Sequence, residues 1–559
     1  MAAEEERFRY AAPDPDGTPA SLWALTPTAR TDLVKFVVRP CVLPVVFVPG
    51  IMGSNLRSKS TGKSVWRLNA TFGQPLGLLW STAMKGPGER QQLLHPDRVE
   101  VDPDGDVPAV TSIGDKAAVR RRGWGSVGET SYKDFLVWLE VHLNQLNPNP
   151  ALWRDFHQTE ATIGPLPTPG AKPKLSPGVK MGLKGQPFGA ELGFESLKTD
   201  DLLARARYHM PVHACGYNWL ASNQLAAQEL AKSIDGIIEQ YDRDPFWCQQ
   251  VLLVTHSMGG LVARACAGLP GMAVKIAGIV HGVMPAVGAA VAYRRCKVGM
   301  GDEDYAAGLV IGSDGQEVTA VFAQAPGALQ LLPSKDYTAR WMRVAQASQP
   351  ALARPAADPY GEIYRRKDVW WGLVREEWLK PSGGAPISWT GFQKNVDKAE
   401  AFHDSIAGNY HGNSYVIYGV DPEQGSFEKV TWKLTQGLRP DDKPAPSAAE
   451  VTALSPTQVR HDGSATMYVG GRTEFIASPF GFGSTVYETS YWELHCEKQD
   501  GSGDGTVPAS SGRAPRLQGA VKQQFAMTGF GHEPAYKNAE VQRATLYAIT
   551  RIAATAKKP

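Results

Sequence analysis

The stretch Val251-Leu252-Leu253-Val254-Thr255-His256-Ser257-Met258-Gly259-Gly260 decides the fold of this chain. An apolar run typical of a buried strand leads directly into a turn of small residues, and a helical pattern follows over Gly260–Gly268. This arrangement is typical of a nucleophile elbow, in which a strained strand-to-helix turn lifts a serine hydroxyl above a sheet. It predicts Ser257 as a nucleophile. The competing interpretation is an ordinary serine in a strand-to-helix turn.

The turn departs from the usual elbow pattern, G-x-S-x-G, at its first position, where this chain has Thr255. A threonine brings a Cβ and a hydroxyl, which the turn has to accommodate. The glycines matter because a Cβ in their place would collide with the neighbouring strand or helix.

A serine nucleophile needs a base, and in this type of fold the chain order is serine, acid, histidine. His532 lies in Thr528-Gly529-Phe530-Gly531-His532, between the last predicted strand and the last predicted helix, where the base is expected. The other histidines fail on order or context, and we interpret them as packed or surface residues: His95, His142, His157, His209, His213, His256, His281, His403, His411, His461 and His495.

Two aspartates are candidates for the acid that orients His532. Asp421 directly follows a predicted strand, and Asp504 lies in the glycine-rich stretch Asp500–Pro508. A glycine-rich loop suits the acid because it lets the backbone approach closely. The same stretch resembles the start of a calcium-binding loop, but Ser511 stands where that loop needs a glutamate. The residues alone leave the choice of acid open.

Backbone N–H groups should stabilise the oxyanion of an acyl-transfer intermediate. One donor is expected from the residue after the nucleophile, Met258. The second is expected in the loop after the first strand, where Gly50-Ile51-Met52-Gly53 offers the N–H of Ile51 or of Met52. The competing interpretation of this glycine pair is a plain tight turn.

Predicted strands alternate with predicted helices along the chain, which indicates a mostly parallel sheet. The strands are Cys41–Val48, Met210–Cys215, Gln250–Val254, Val274–His281, Ser414–Val420 and Gln523–Thr528. Helices are expected near Ser222–Tyr241, Gly260–Gly268 and Ala539–Ala553. We therefore predict an α/β-hydrolase fold, with helices on both faces of the sheet and large cap or lid insertions.

The regular pattern also divides the chain into core and insertions. The predicted core comprises residues 41–70, 200–284, 403–420 and 491–559. Residues 1–40 form an N-terminal extension, residues 71–199 and 421–490 are insertions, and residues 285–402 form a cap or lid insertion.

Composition excludes some function classes. A net charge of +2 over 559 residues provides no basic field for nucleic acid.

The first residues are acidic and lack an apolar segment, so we expect no signal peptide and synthesis in the cytoplasm. The 15 tryptophans suit an apolar ligand or a membrane surface, although a large core could also absorb them. We expect no cofactor and no metal.

Several stretches resemble a known family. Val48–Leu56, Thr255–Arg264, Ala325–Pro333 and Asp504–Pro508 with Gly531–Tyr536 resemble lecithin:cholesterol acyltransferase-like lipases and GPI-inositol-deacylase-like hydrolases. His281–Arg295 and Gly216–Asn223 are most similar to bacterial type VI secretion lipase effectors of the fourth family. These stretches cover the core strands and their turns, well under half of the chain.

The resemblance implies a Ser257–Asp504–His532 triad and favours Asp504 over Asp421 as the acid. It also implies a phospholipid substrate, a cognate immunity protein, a secretion machinery and delivery into the periplasm of a target cell. Three alternatives stay open: an acyltransferase with the same triad, a housekeeping esterase, and an interaction protein on an inactive hydrolase scaffold. The triad residue types in the right order argue against the last.

Overall fold

A computed structural model describes the following residues of the chain: 7–9, 23–25, 41–67, 85–108, 115–144, 187–191, 193–205, 207–244, 246–301, 311–345, 351–437, 445–477, 483–519 and 521–558. Most of the predicted N-terminal extension, 1–40, and large parts of the predicted insertion 71–199 lie outside these residues. The division into core and insertions is kept as a proposal.

Six parallel strands form the central sheet. In chain order they are β1 (Val45–Val48), β2 (Val212–Ala214), β3 (Val251–His256), β4 (Ile276–Gly282), β5 (Ser414–Gly419) and β6 (Gln523–Met527). Their order across the sheet is β6-β5-β4-β3-β1-β2, and every neighbouring pair is parallel. The carboxyl ends of all six strands therefore open on the same edge, which is where ligand sites of parallel sheets lie.

A proline lies within each of the first two predicted strands. Cys41–Val42 pairs with Tyr208–His209, and the pairing resumes as β1 with β2. Pro44 and Pro211 lie between these two ladders, and neither can donate a backbone hydrogen bond. Pro44 therefore splits the predicted strand Cys41–Val48, and the predicted strand Met210–Cys215 is shortened to Val212–Ala214, after Pro211.

Helices cover both faces of the sheet, because successive strand side chains point to opposite sides. Leu252 and Val254 pack in one buried cluster with the helices Glu129–Asn144 and Ala539–Thr555. Leu253 belongs to the second cluster, with the helices Asn223–Tyr241 and Gly259–Ala267. Full burial of one such aliphatic side chain contributes about 1.5–3 kcal/mol. The predicted parallel sheet with helices on both faces is confirmed.

Among the residues that the structure describes, the other α-helices are Pro87–Leu93, Lys116–Arg121, Thr199–Arg205, Ala290–Val298, Gly315–Phe322, Pro326–Leu329, Trp389–Ile406, Ala448–Thr452 and Ala509–Gln518. Short 3-10 helices span Trp124–Ser126, Pro187–Gly189, Glu376–Leu379, Pro456–Gln458 and Ala535–Lys537, and a π-helix spans Tyr360–Tyr364. Within the described ranges, no helix has the length and apolarity that crossing a membrane requires.

A second sheet combines strands from both sides of β5. Its order is Leu352–Arg354, Met342–Ala345, Val430–Gln436, Gly483–Cys496 and Ala465–Ala477. The predicted insertions 285–402 and 421–490 thus share one sheet. Smaller sheets pair Ser64–Trp66 and Val99–Val101 with Leu56–Ser58, Asp421–Ser426 with Gly501–Gly503, and Arg7–Arg9 with Trp23–Leu25.

Part of the tryptophan surplus serves packing. Five tryptophans are among the largest fully buried side chains: Trp219, Trp341, Trp370, Trp378 and Trp432. Trp341 and Trp432 both meet Tyr293 edge-on, with ring centroids 5.0 and 6.0 Å from the tyrosine ring. These residues connect the second sheet to the helix Ala290–Val298, so a large aromatic core absorbs them.

Candidate active site

Ser257 occupies the sharp turn between β3 and the helix Gly259–Ala267. Its backbone is left-handed, with φ of 51°, which is strained for a serine. Its N–H donates to the carbonyl of Gly282 on β4, at 2.8 Å. A Cβ on Gly259 would lie 2.4 Å from the carbonyl oxygens of Val48 and Pro49, so the turn needs a glycine there. The strained conformation is thus maintained by close backbone packing.

The turn accommodates Thr255 at the position where the usual elbow pattern has a glycine. Its side chain is buried, and its hydroxyl lies 3.5 Å from Nδ1 of His281, the residue beside it on β4. Its carbonyl accepts a hydrogen bond from the Tyr536 hydroxyl at 2.8 Å. The added Cβ and hydroxyl therefore fill space next to the neighbouring strand.

His532 connects Ser257 to Asp504. Its Nε2 lies 2.8 Å from the Ser257 hydroxyl oxygen, and its Nδ1 lies 2.9 Å from Oδ2 of Asp504. The Asp504 side chain is 1% exposed and that of His532 is 14% exposed. Three separate turns, after β3, after Gly501–Gly503 and after β6, bring these side chains together. This arrangement can transfer a proton from a serine to a histidine that a carboxylate orients.

The Asp504 carboxylate is held by its own loop. Its Oδ1 accepts hydrogen bonds from the N–H groups of Thr506 and Val507, at 3.0 and 2.7 Å. The other oxygen is left to face His532. The carboxylate of Asp500, which would begin a calcium loop, instead accepts from the N–H of Lys429 at 2.9 Å. The two aspartates that resemble calcium ligands, Asp500 and Asp504, are therefore both engaged in other contacts.

Asp421, the other candidate acid, contacts the same histidine loop at a different point. Its Oδ2 accepts from the N–H of Gly529 at 2.8 Å, and its Oδ1 accepts from the N–H of Glu423 at 2.9 Å. These backbone hydrogen bonds lower the pKa of Asp421, so the carboxylate is ionised at neutral pH. Asp421 anchors the loop that carries His532, whereas Asp504 contacts the imidazole itself.

The two predicted oxyanion segments lie in suitable conformations. Met258 is buried at the start of the helix Gly259–Ala267, and Gly50–Gly53 forms a tight turn in which Gly53 N–H donates to the Gly50 carbonyl. Within the part of the chain that the structure describes, the N–H groups of Ile51, Met52 and Met258 donate no hydrogen bond. These donors are free to meet a developing negative charge.

Two residues next to the candidate active site, His256 and Tyr132, were not predicted from the sequence to belong to it. His256 is buried, with Nε2 2.9 Å from the carbonyl oxygen of His532 and Nδ1 3.0 Å from the hydroxyl of Tyr132. Tyr132 comes from the helix Glu129–Asn144, inside the predicted insertion 71–199, where the pattern of residues is poor. A tyrosine at helical spacing reads as core, and only the tertiary fold brings it to the site.

Comparisons with known proteins agree with the resemblance. Residues 205–297, which include Ser257, match the family described as "PGAP1-like alpha/beta domain". A chain of the solved structure "The crystal structure of Tle4-Tli4 complex" is 29% identical, with a TM-score of 0.70. That match covers 92% of this chain and 99% of that chain. Among curated proteins, none matches the sequence.

The family match contains β2 to β4 and the elbow, and the structural match extends over nearly the whole chain. Together they confirm the predicted α/β-hydrolase fold, and homology of this kind supports ester hydrolysis. Residues 205–297 are therefore similar to the PGAP1-like α/β domain, and the chain as a whole shares its architecture with a chain of the Tle4–Tli4 complex.

Proposed function

We propose that this protein is a serine-dependent lipase that hydrolyses the acyl esters of membrane phospholipids. One observation carries the proposal: the continuous hydrogen-bonded series from Ser257 through His532 to Asp504, at 2.8 and 2.9 Å. Such a series activates a hydroxyl that would otherwise be a weak nucleophile. No metal or cofactor has a part in the proposed reaction.

In the proposed mechanism, Nε2 of His532 takes the proton of Ser257 while the hydroxyl oxygen attacks the acyl carbonyl carbon. The resulting oxyanion accepts hydrogen bonds from the N–H groups of Met258 and Ile51. Asp504 keeps the imidazole in the required tautomer and stabilises the imidazolium. Collapse of the intermediate expels the lysolipid alcohol, which takes the proton from Nε2. A water molecule then deacylates the serine by the same steps.

The biological setting is proposed from the family resemblance. The similar solved structure is that of the Tle4–Tli4 complex, which supports a cognate protein partner for this chain. We propose that the protein acts as an antibacterial type VI effector, that an immunity protein restrains it, and that it reaches its substrate in the periplasm of a target cell. These steps explain how a cell could make a phospholipase without attacking its own membrane.

The test compares wild type with Ser257→Ala on vesicles of mixed phospholipids, with the products identified by mass. We expect the wild type to release fatty acid and lysophospholipid. Loss of a triad nucleophile should lower kcat by about 10⁶-fold, because no other group can form the acyl-enzyme. A folded variant with near-normal turnover would contradict the proposal. Acyl groups transferred to an added alcohol in preference to water would indicate an acyltransferase.

A further inference from the structure

A second series of hydrogen bonds connects the two sides of the candidate active site. It runs from the N–H of Gly50 to the Tyr132 hydroxyl at 3.1 Å, then to Nδ1 of His256 at 3.0 Å. From Nε2 of His256 it continues to the carbonyl oxygen of His532 at 2.9 Å. The series thus begins in the turn that holds Ile51 and ends on the backbone of the proposed base.

The protons in this series are fixed by its two ends. The carbonyl oxygen of His532 can only accept, so Nε2 of His256 carries the proton and Nδ1 is an acceptor. The Tyr132 hydroxyl therefore donates to Nδ1 and accepts from the N–H of Gly50. Every donor in the series has one acceptor, which makes the direction of the series unique.

The glycine pair of the predicted oxyanion turn makes room for these side chains. A Cβ on Gly50 would lie 2.8 Å from Nδ1 of His256 and 3.0 Å from Cβ of Ser257. A Cβ on Gly53 would lie 2.6 Å from the Tyr132 hydroxyl oxygen. The two glycines thus let Tyr132 and His256 approach the turn, beyond forming the turn itself.

Given the proposed function, on which this inference rests, we propose that Tyr132 and His256 are positioning residues for catalysis. They fix the distance between the oxyanion donors of the Gly50–Gly53 turn and the imidazole of His532. The loop that carries His532 is then held at two backbone points: the N–H of Gly529 by Asp421, and the carbonyl of His532 by His256.

The environment of His256 suits this role. Burial lowers the pKa of His256 to about 3, so the ring is neutral at neutral pH. Its ring centroid lies 5.3 Å from that of His532. A cation at this distance would oppose formation of the His532 imidazolium, whereas a neutral ring holds the backbone without that repulsion.

The test uses substitutions that remove one contact at a time. Tyr132→Phe removes the hydroxyl and keeps the ring packed against Phe47, whose centroid is 4.9 Å away. His256→Gln places an amide near the former Nε2 and can still donate to His532, whereas His256→Asn reaches only the Tyr132 side. For each variant, kcat and KM are measured on a short soluble ester, and the melting temperature is measured as well. Ser257→Ala is assayed in parallel.

A second buried pair of the same kind provides the control. Nε2 of His213 lies 3.0 Å from the Tyr241 hydroxyl, and burial lowers the pKa of His213 to about 3 as well. His213 lies on β2, the edge strand of the central sheet and two strands away from β3, and Tyr241 is the last residue of the helix Asn223–Tyr241. His213→Asn and Tyr241→Phe should lower the melting temperature and leave kcat unchanged.

We expect Tyr132→Phe and His256→Asn to lower kcat by about tenfold to 100-fold with KM unchanged, since small misplacements of catalytic groups cost this much. His256→Gln should keep more turnover than His256→Asn. Wild-type kcat in folded Tyr132→Phe and His256→Asn, or an equal loss in the control pair, would overturn the inference. In either case an inactive Ser257→Ala leaves the proposed function standing, whereas an active one refutes both.

Discussion

Replacing Asp504 by asparagine tests the acid of the proposed triad with almost no change of shape. Two backbone N–H groups, of Thr506 and Val507, donate to Oδ1 of Asp504 and need an acceptor there. An asparagine keeps both bonds only if its oxygen takes that position, which turns its NH₂ group toward His532. Nδ1 of His532 then has to accept, and the ring proton moves to Nε2, which faces Ser257 at 2.8 Å.

The histidine of Asp504→Asn therefore cannot take the serine proton. A wrong tautomer in a triad lowers kcat by about 10⁴-fold. This corresponds to about 5 kcal/mol of lost transition-state stabilisation. The assay is the steady-state hydrolysis of a short soluble ester, with circular dichroism to establish that the variant is folded.

Asp421→Asn is the matched variant for this experiment. It loses one of the two backbone contacts, to Gly529 or to Glu423, and leaves the imidazole partner intact. We expect kcat to fall at most about tenfold, the effect of losing one hydrogen bond. If Asp421→Asn loses more activity than Asp504→Asn, the reasoning about the acid is refuted.

Three further predictions concern the elbow, the cap and the biology. Gly259→Ala should lower the free energy of unfolding by about 1–3 kcal/mol through overpacking; Gly236→Ala, whose Cβ meets nothing within 4 Å, should not destabilise in the same urea titration. Specific activity should rise when a short ester passes its micelle threshold, because the predicted insertions have to shift to admit acyl chains; equal activity on both sides argues against a mobile lid. The wild type directed to the periplasm should slow growth and the periplasm-directed Ser257→Ala form should not; identical growth at equal protein levels would exclude the effector role.

The features that the sequence predicts most accurately are the strands, helices and turns that a local pattern of apolar residues determines. The strand Ser414–Gly419 and the helix Ala539–Thr555 lie within two residues of their predicted bounds, because apolar periodicity is set by burial. The strand-to-helix turn at Ser257 was foreseen for the same reason. Pro44 and Pro211 are present in the sequence, but only the pairing of the two segments reveals that the ladder between them is interrupted there.

What depends on long-range contacts could not be predicted. The residues left Asp421 and Asp504 as equal candidates, and their different contacts with the histidine loop appear only in three dimensions. Tyr132 gave no signal because its partners, Gly50 and His256, are 82 and 124 residues away. The second sheet was missed because its strands come from two predicted insertions that β5 separates.

That sheet has a consequence for synthesis on the ribosome. Met342–Ala345 pairs on one side with Leu352–Arg354, which emerges almost at once, and on the other with Val430–Gln436. At roughly 5–20 residues per second, the second partner follows about 4–17 s later. During this interval the strand exposes an unpaired edge that another nascent chain could join. Supplying chaperones or lowering the density of nascent chains should therefore improve the yield of native protein.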